Sequence, residues 1–184
     1  MNDASNVPEK FDWAAVDDGI VKEIVRQAEA FMSAQLQSSI AGDQRAFSLT
    51  GTMATVSTGL IGGGLTLLTS GAASNTVLGW AATIAGIVLV TGAANAAYAT
   101  RPINFHFVGN HPDSWFTPED LSRPLRVSLG EHCEALQRCI DRNEAALAAK
   151  ARALRTGLWC CVLAPCAGAI AAITVTVARA AGAA

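Results

Sequence analysis

Charge is missing from the longest stretch of this 184-residue sequence: residues 46–100 hold no Asp, Glu, Lys, Arg or His, and residues 156–178 form a second uncharged run. Charged residues make up 15% of the chain and hydrophobic ones 51%, against roughly 25% charged in ordinary soluble domains. That shortage excludes a single soluble domain, which the length alone would suggest. A hydrocarbon core about 30 Å thick takes roughly 20 apolar residues in a helix. The first run is therefore long enough to cross twice and the second once. No basic stretch followed by an apolar one opens the chain, so no cleavable signal peptide is expected and the first apolar segment itself directs insertion.

Other absences exclude chemistry. The five cysteines make no disulfide framework. Cys133 and Cys139 fall in a polar segment assigned to the reducing cytoplasm, while Cys160, Cys161 and Cys166 lie in an apolar helix, so all five read as small hydrophobes. His106, His111 and His132 have no compact metal-ligand spacing, and the adjacent His132 and Cys133 point to different helix faces. No phosphate-binding glycine loop, protease motif or nucleophile–base–acid set is present. Neither an enzyme nor a metal protein is expected, and a formal net charge of −2 gives no reason to expect nucleic acid as a partner.

What is present is an all-α integral membrane protein with three transmembrane helices and two cytoplasmic helical extensions forming a bundle. The segments expected are a flexible N-terminus (1–16), a cytoplasmic amphipathic helix (17–45), a transmembrane hairpin (46–100), a cytoplasmic loop with a short helix (101–127), a cytoplasmic heptad helix (128–155), a third transmembrane helix (156–178) and a tail (179–184). Within the hairpin, the crossings are approximately 47–68 and 77–99. Four basic residues precede the first crossing, eight lie between the second and third, one follows the third, and the hairpin turn has none. Because cytoplasmic flanks retain Lys and Arg, the N-terminus is placed inside and the C-terminus outside.

Ahead of the first crossing, Val21, Ile24, Val25, Ala28, Phe31, Met32, Leu36 and Ile40 recur at helical spacing. Ahead of the third, Leu129, Cys133, Leu136, Ile140, Asn143, Leu147, Ala151 and Leu154 step by threes and fours, close to a heptad. Neither stripe can be buried by an isolated helix, so the two helices should pack in parallel, within a subunit or between subunits, each running on into its crossing. That alignment brings Asp43 within reach of Lys150, Arg152 or Arg155. Asn143, on the heptad seam, is of the kind that fixes register and oligomer number. Gly59 and Gly63 stand at GxxxG spacing in a Gly- and Thr-rich first crossing, suited either to a subunit interface or pore lining or to packing inside one subunit. Asn95, about one turn from the cytoplasmic surface, is expected to make a structural hydrogen bond. Between Pro102 and Pro124 no continuous helix is possible, and Thr117-Pro118-Glu119-Asp120 reads as a short helix start. In that region Arg101, Asn104, His106, Asn110, His111 and Trp115 combine anion-binding, hydrogen-bonding and stacking groups suited to a nucleotide. The same residue types suit a loop folded on lipid headgroups.

Three short motifs resemble the transmembrane effectors of Pycsar anti-phage systems. They are Gly42-Asp43-Gln44-Arg45-Ala46-Phe47-Ser48-Leu49-Thr50-Gly51 at the start of the first crossing, Arg101-Pro102 after the second, and Ile140-x-x-Asn143 followed by Lys150 before the third. Arg45 stands where the family more often has Lys. The resemblance spans residues 17–178. It implies an inner-membrane homo-oligomer in the lipid bilayer, functionally linked to a nucleotide cyclase, responding to a cyclic nucleotide by disrupting or depolarising the membrane. The alternative is a constitutive oligomeric scaffold or channel-like protein without a nucleotide ligand.

Overall fold

The computed structural model describes residues 11–70, 72–107, 109 and 122–182. Among them every regular element is helical: a 3-10 turn at Trp13–Ala15, then α1 (Asp18–Thr69), α2 (Ala73–Ala99) and α3 (Leu125–Ala180). All three α-helices are long and apolar enough, over at least one 18-residue stretch, to cross a membrane. The expected short helix at 117–120 lies outside the described residues.

The chain divides into two compact units: Met1–Ser38 with Asn104–Ala145, and Ser39–Ile103 with Ala146–Ala184. The first contains most of the amphipathic part of α1 and of the heptad part of α3. α1 begins where Asp17 accepts the Gly19 backbone N–H at 2.8 Å, with Asp18 in the first turn against the positive end of the helix dipole. Met32, Leu136 and Ile140 then form a buried cluster, flanked by Val25, Ala28 and Cys139. Burying each of the three large side chains from water contributes roughly 1.5–3 kcal/mol. The apolar stripe on α1 is wider than α3 covers: Val21 and Met32 are fully enclosed, whereas Ile24, Phe31 and Ile40 remain exposed.

The second unit is a three-helix bundle held by close backbone approach. Gly64 of α1 faces Gly79 of α2 so tightly that a Cβ on Gly64 would lie 2.8 Å from the Gly79 carbonyl oxygen. A Cβ on Gly157 of α3 would lie 3.0 Å from the carbonyl oxygen of Gly92. Around these contacts Met53, Leu89, Ala93 and Ala164 form the buried core. α2 runs antiparallel to both neighbours. Advancing along it from Gly79 through Gly86 to Gly92 passes back along α1 from Gly64 through Ser57 to Met53, and along α3 from Gly168 towards Gly157. α1 and α3 are consequently parallel within this unit, and Pro165 lies inside α3 without ending it.

Candidate functional site

In the first unit the chain from Asn104 to Phe107 has no regular secondary structure, so its backbone groups need partners from elsewhere. Asn143 supplies two. Its Oδ1 accepts the His106 backbone N–H at 2.9 Å and its Nδ2 donates to the His106 carbonyl at 3.0 Å, a reciprocal pairing that imitates one rung of a β-ladder. Asn143 itself is completely buried. The heptad pattern placed it on the seam, and the structure shows its partner there to be the loop that follows α2. Asn104 is exposed and the His106 side chain half-buried. Asn110, His111 and Trp115 lie outside the described residues.

One turn earlier on α3, the Ile140 carbonyl accepts from Gln35 Nε2 of α1 at 3.4 Å, while Gln35 Oε1 is buried with no hydrogen-bond partner. The same unit has a contact that hydrophobic periodicity did not single out. Trp13 packs closely against Gly130, where any Cβ would collide with the indole, and its Nε1–H donates to Glu134 Oε1 at 2.9 Å. The sequence offered only a Trp near its start and the one glycine of the heptad segment, with no pattern that pairs them. Burial pushes the nearby Cys133 thiol up, and the Glu134 charge adds to that while a backbone hydrogen bond opposes it.

In the second unit Asp43 and Lys150 form an ion pair, Nζ lying 2.8 Å from Oδ1 and 2.9 Å from Oδ2. The Lys150 side chain is 12% exposed and that of Asp43 39%. Of the three basic residues within reach of Asp43 by helix alignment, Lys150 is the one it contacts. Arg45 is exposed. Arg101, just past the end of α2, packs its guanidinium over the Tyr98 ring at 4.1 Å from the centroid and also donates to the Tyr98 hydroxyl. Asn95 donates to the Thr91 carbonyl one turn back in its own helix, at 2.9 Å. Gly59 and Gly63 take no part in the bundle, since a Cβ on either would meet nothing within 4 Å.

Two polar constellations thus stand out, Asn143 on the His106 backbone and Lys150 on Asp43. Among the described residues no three His, Cys, Asp or Glu side chains converge as a metal-ligand group. No protein-family profile, characterised protein or solved structure matches the chain.

Proposed function

We propose that this chain is an inner-membrane effector of the Pycsar type, which responds to a cyclic nucleotide by disrupting or depolarising the bilayer. The observation that carries the proposal is the use of the motif residues. Ile140 lies in the buried cluster, Asn143 clasps the loop after α2, Lys150 holds Asp43, and Arg101 packs on Tyr98. Of the residues that carry the resemblance, Asp43, Ile140, Asn143 and Lys150 tie helices and loop together. The clasp joins a ligand-suited loop to a helix that continues into an apolar span. A nucleotide favouring one arrangement of that loop would shift the equilibrium of α3 by its difference in affinity for the two arrangements.

Membrane insertion is part of the same proposal, with the N-terminus in the cytoplasm. The outward faces of α2 and α3 carry Leu78, Ile87, Val90, Leu158, Val162, Leu163, Ile170 and Ile173, side chains that suit lipid. Homo-oligomerisation is supported by the open Gly59 and Gly63 on α1, where a second helix could approach closely.

The test is dye leakage from liposomes holding purified protein, with and without a panel of cyclic nucleotides. Leakage that depends on one nucleotide, and loses that dependence in Asn143→Leu, is the expected result. Equal leakage with and without every nucleotide favours the constitutive channel-like reading. No leakage under any condition removes both and leaves the constitutive scaffold.

A further inference from the structure

All but one of the basic residues of the apolar unit form a band with no free acid in it. This unit carries six basic residues, Arg45, Arg101, Lys150, Arg152, Arg155 and Arg179, and a single acid, Asp43. Five of the six basic residues lie close to one level of the bundle. Each step along α2 towards its C-terminus matches a step back along α1 and α3, with Gly92 beside Met53 and Gly157. Carried on past Ala99, the same register brings Arg101 level with the stretch of α1 around Arg45 and the stretch of α3 around Lys150. The Asp43–Lys150 contact fixes that same level independently. Arg152 lies within a turn of it and Arg155 about one turn further on, at 1.5 Å per residue.

The side chains also point the right way. Asp43 and Lys150 face each other, and at 100° per residue Arg45, Arg152 and Arg155 project from the far sides of their helices. All three are exposed, as is Arg101. The pair therefore consumes the only acid, leaving four outward guanidinium groups with no carboxylate in their unit to compete for them. Exposed Phe47, Tyr98 and Trp159 occupy the same end of the bundle, and Trp80 stands exposed near the start of α2 at the other. Aromatic side chains at both ends, with five of the six basic residues at one and Arg179 alone at the other, form the pattern of a span whose basic end lies among phosphate headgroups.

We infer that Arg45, Arg101, Arg152 and Arg155 form a girdle that selects anionic phospholipid headgroups of the cytoplasmic leaflet. Guanidinium forks bind phosphate oxygens in pairs, and each cation near a negatively charged leaflet adds to the attraction. Zwitterionic lipids present a phosphate too, but their own ammonium offsets it. The girdle accordingly favours lipids of net negative charge. The inference rests on the membrane reading above and concerns which lipids surround the chain, whatever its response to nucleotides.

The test is native mass spectrometry of full-length protein extracted from vesicles of phosphatidylcholine with a minority of phosphatidylglycerol. Retained lipids are counted per protomer. Wild type should retain phosphatidylglycerol in several-fold excess over its share of the vesicle. Arg45→Gln, Arg152→Gln, Arg155→Gln together should lower that excess by about fivefold or more, while the corresponding triple Lys variant should keep most of it. If the Gln variant fails to fold, salt titration of the wild-type excess carries the same comparison, because headgroup attraction is screened. Retention at the bulk lipid ratio by protein that resists carbonate extraction overturns the girdle and leaves membrane insertion standing. Extraction by carbonate would overturn both. Loss of the lipid on adding millimolar inorganic phosphate at constant ionic strength would identify a free-phosphate site and overturn headgroup selection.

Discussion

Single residues decide how the helices are registered. Asp43 and Lys150 are both partly enclosed, so their pairing lies between an exposed ion pair, worth about 0–1 kcal/mol, and a buried one, whose disruption costs about 3–5 kcal/mol. Asp43→Asn should lower the thermal unfolding midpoint by the equivalent of about 1–3 kcal/mol. Exchanging the charges, Asp43→Lys with Lys150→Asp, should recover part of that loss. Additive effects in the double-mutant cycle would exclude direct coupling. Cys133 offers a second check at this scale. Its thiol, ordinarily near 9.0, is raised by burial, so the fold prefers the neutral form. The resulting stabilisation is complete below pH 9.0 and is lost as pH climbs through the raised value. In the native protein, alkylation at Cys133 should therefore rise with pH later than in denatured chain. Identical pH profiles would show that the thiol is not enclosed.

At the scale of the element, glycines of one type play opposite parts. Gly64, Gly92 and Gly157 let backbones meet inside the bundle, whereas Gly51, Gly59, Gly62 and Gly63 meet nothing within 4 Å on the outward face of α1. Gly92→Leu would force apart α2, α1 and α3, because even a Cβ there collides with Met53 and Cys160. Its expected effect is loss of folded protein by about 3 kcal/mol or more. Gly59→Leu should leave the protomer folded and weaken association between copies, read as a shift to lower mass in detergent. An unchanged mass distribution would mean that the open glycines are not a subunit contact. The hydroxyls beside them do not demand a partner: Thr52, Thr55, Thr58 and Thr66 each bond a carbonyl of their own helix four residues back.

For the whole molecule the critical measurement is topology. In a cysteine-free background, Ser74→Cys should label from outside the cell and Ser122→Cys only after permeabilisation. Labelling of both from the same side would remove the three-crossing arrangement. The helical character of the chain and its three helices apolar enough to cross a membrane were legible from the uncharged runs, and the parallel course of α1 and α3 from their matched apolar stripes. The clasp on His106 was not legible, because Asn143 occupies a seam position that fits a neighbouring helix as readily as a loop. Nor was the Trp13–Gly130 contact, which joins residues more than a hundred positions apart without periodicity.

The sequence alone determines which stretches are helical and which are apolar enough to span, since both follow from local composition and from the 3.6-residue period. It also limits Asp43 to a few partners, since parallel packing sets helix height to within a turn. Only the tertiary structure decides rotation about each helix axis. Rotation selects Lys150 over Arg152 and Arg155, turns Gly64 inward and Gly59 outward, and directs the Asn143 amide to a loop backbone. A repeating pattern of small and apolar residues is nearly indifferent to such rotations, whereas close contact between backbones and between charged groups is not.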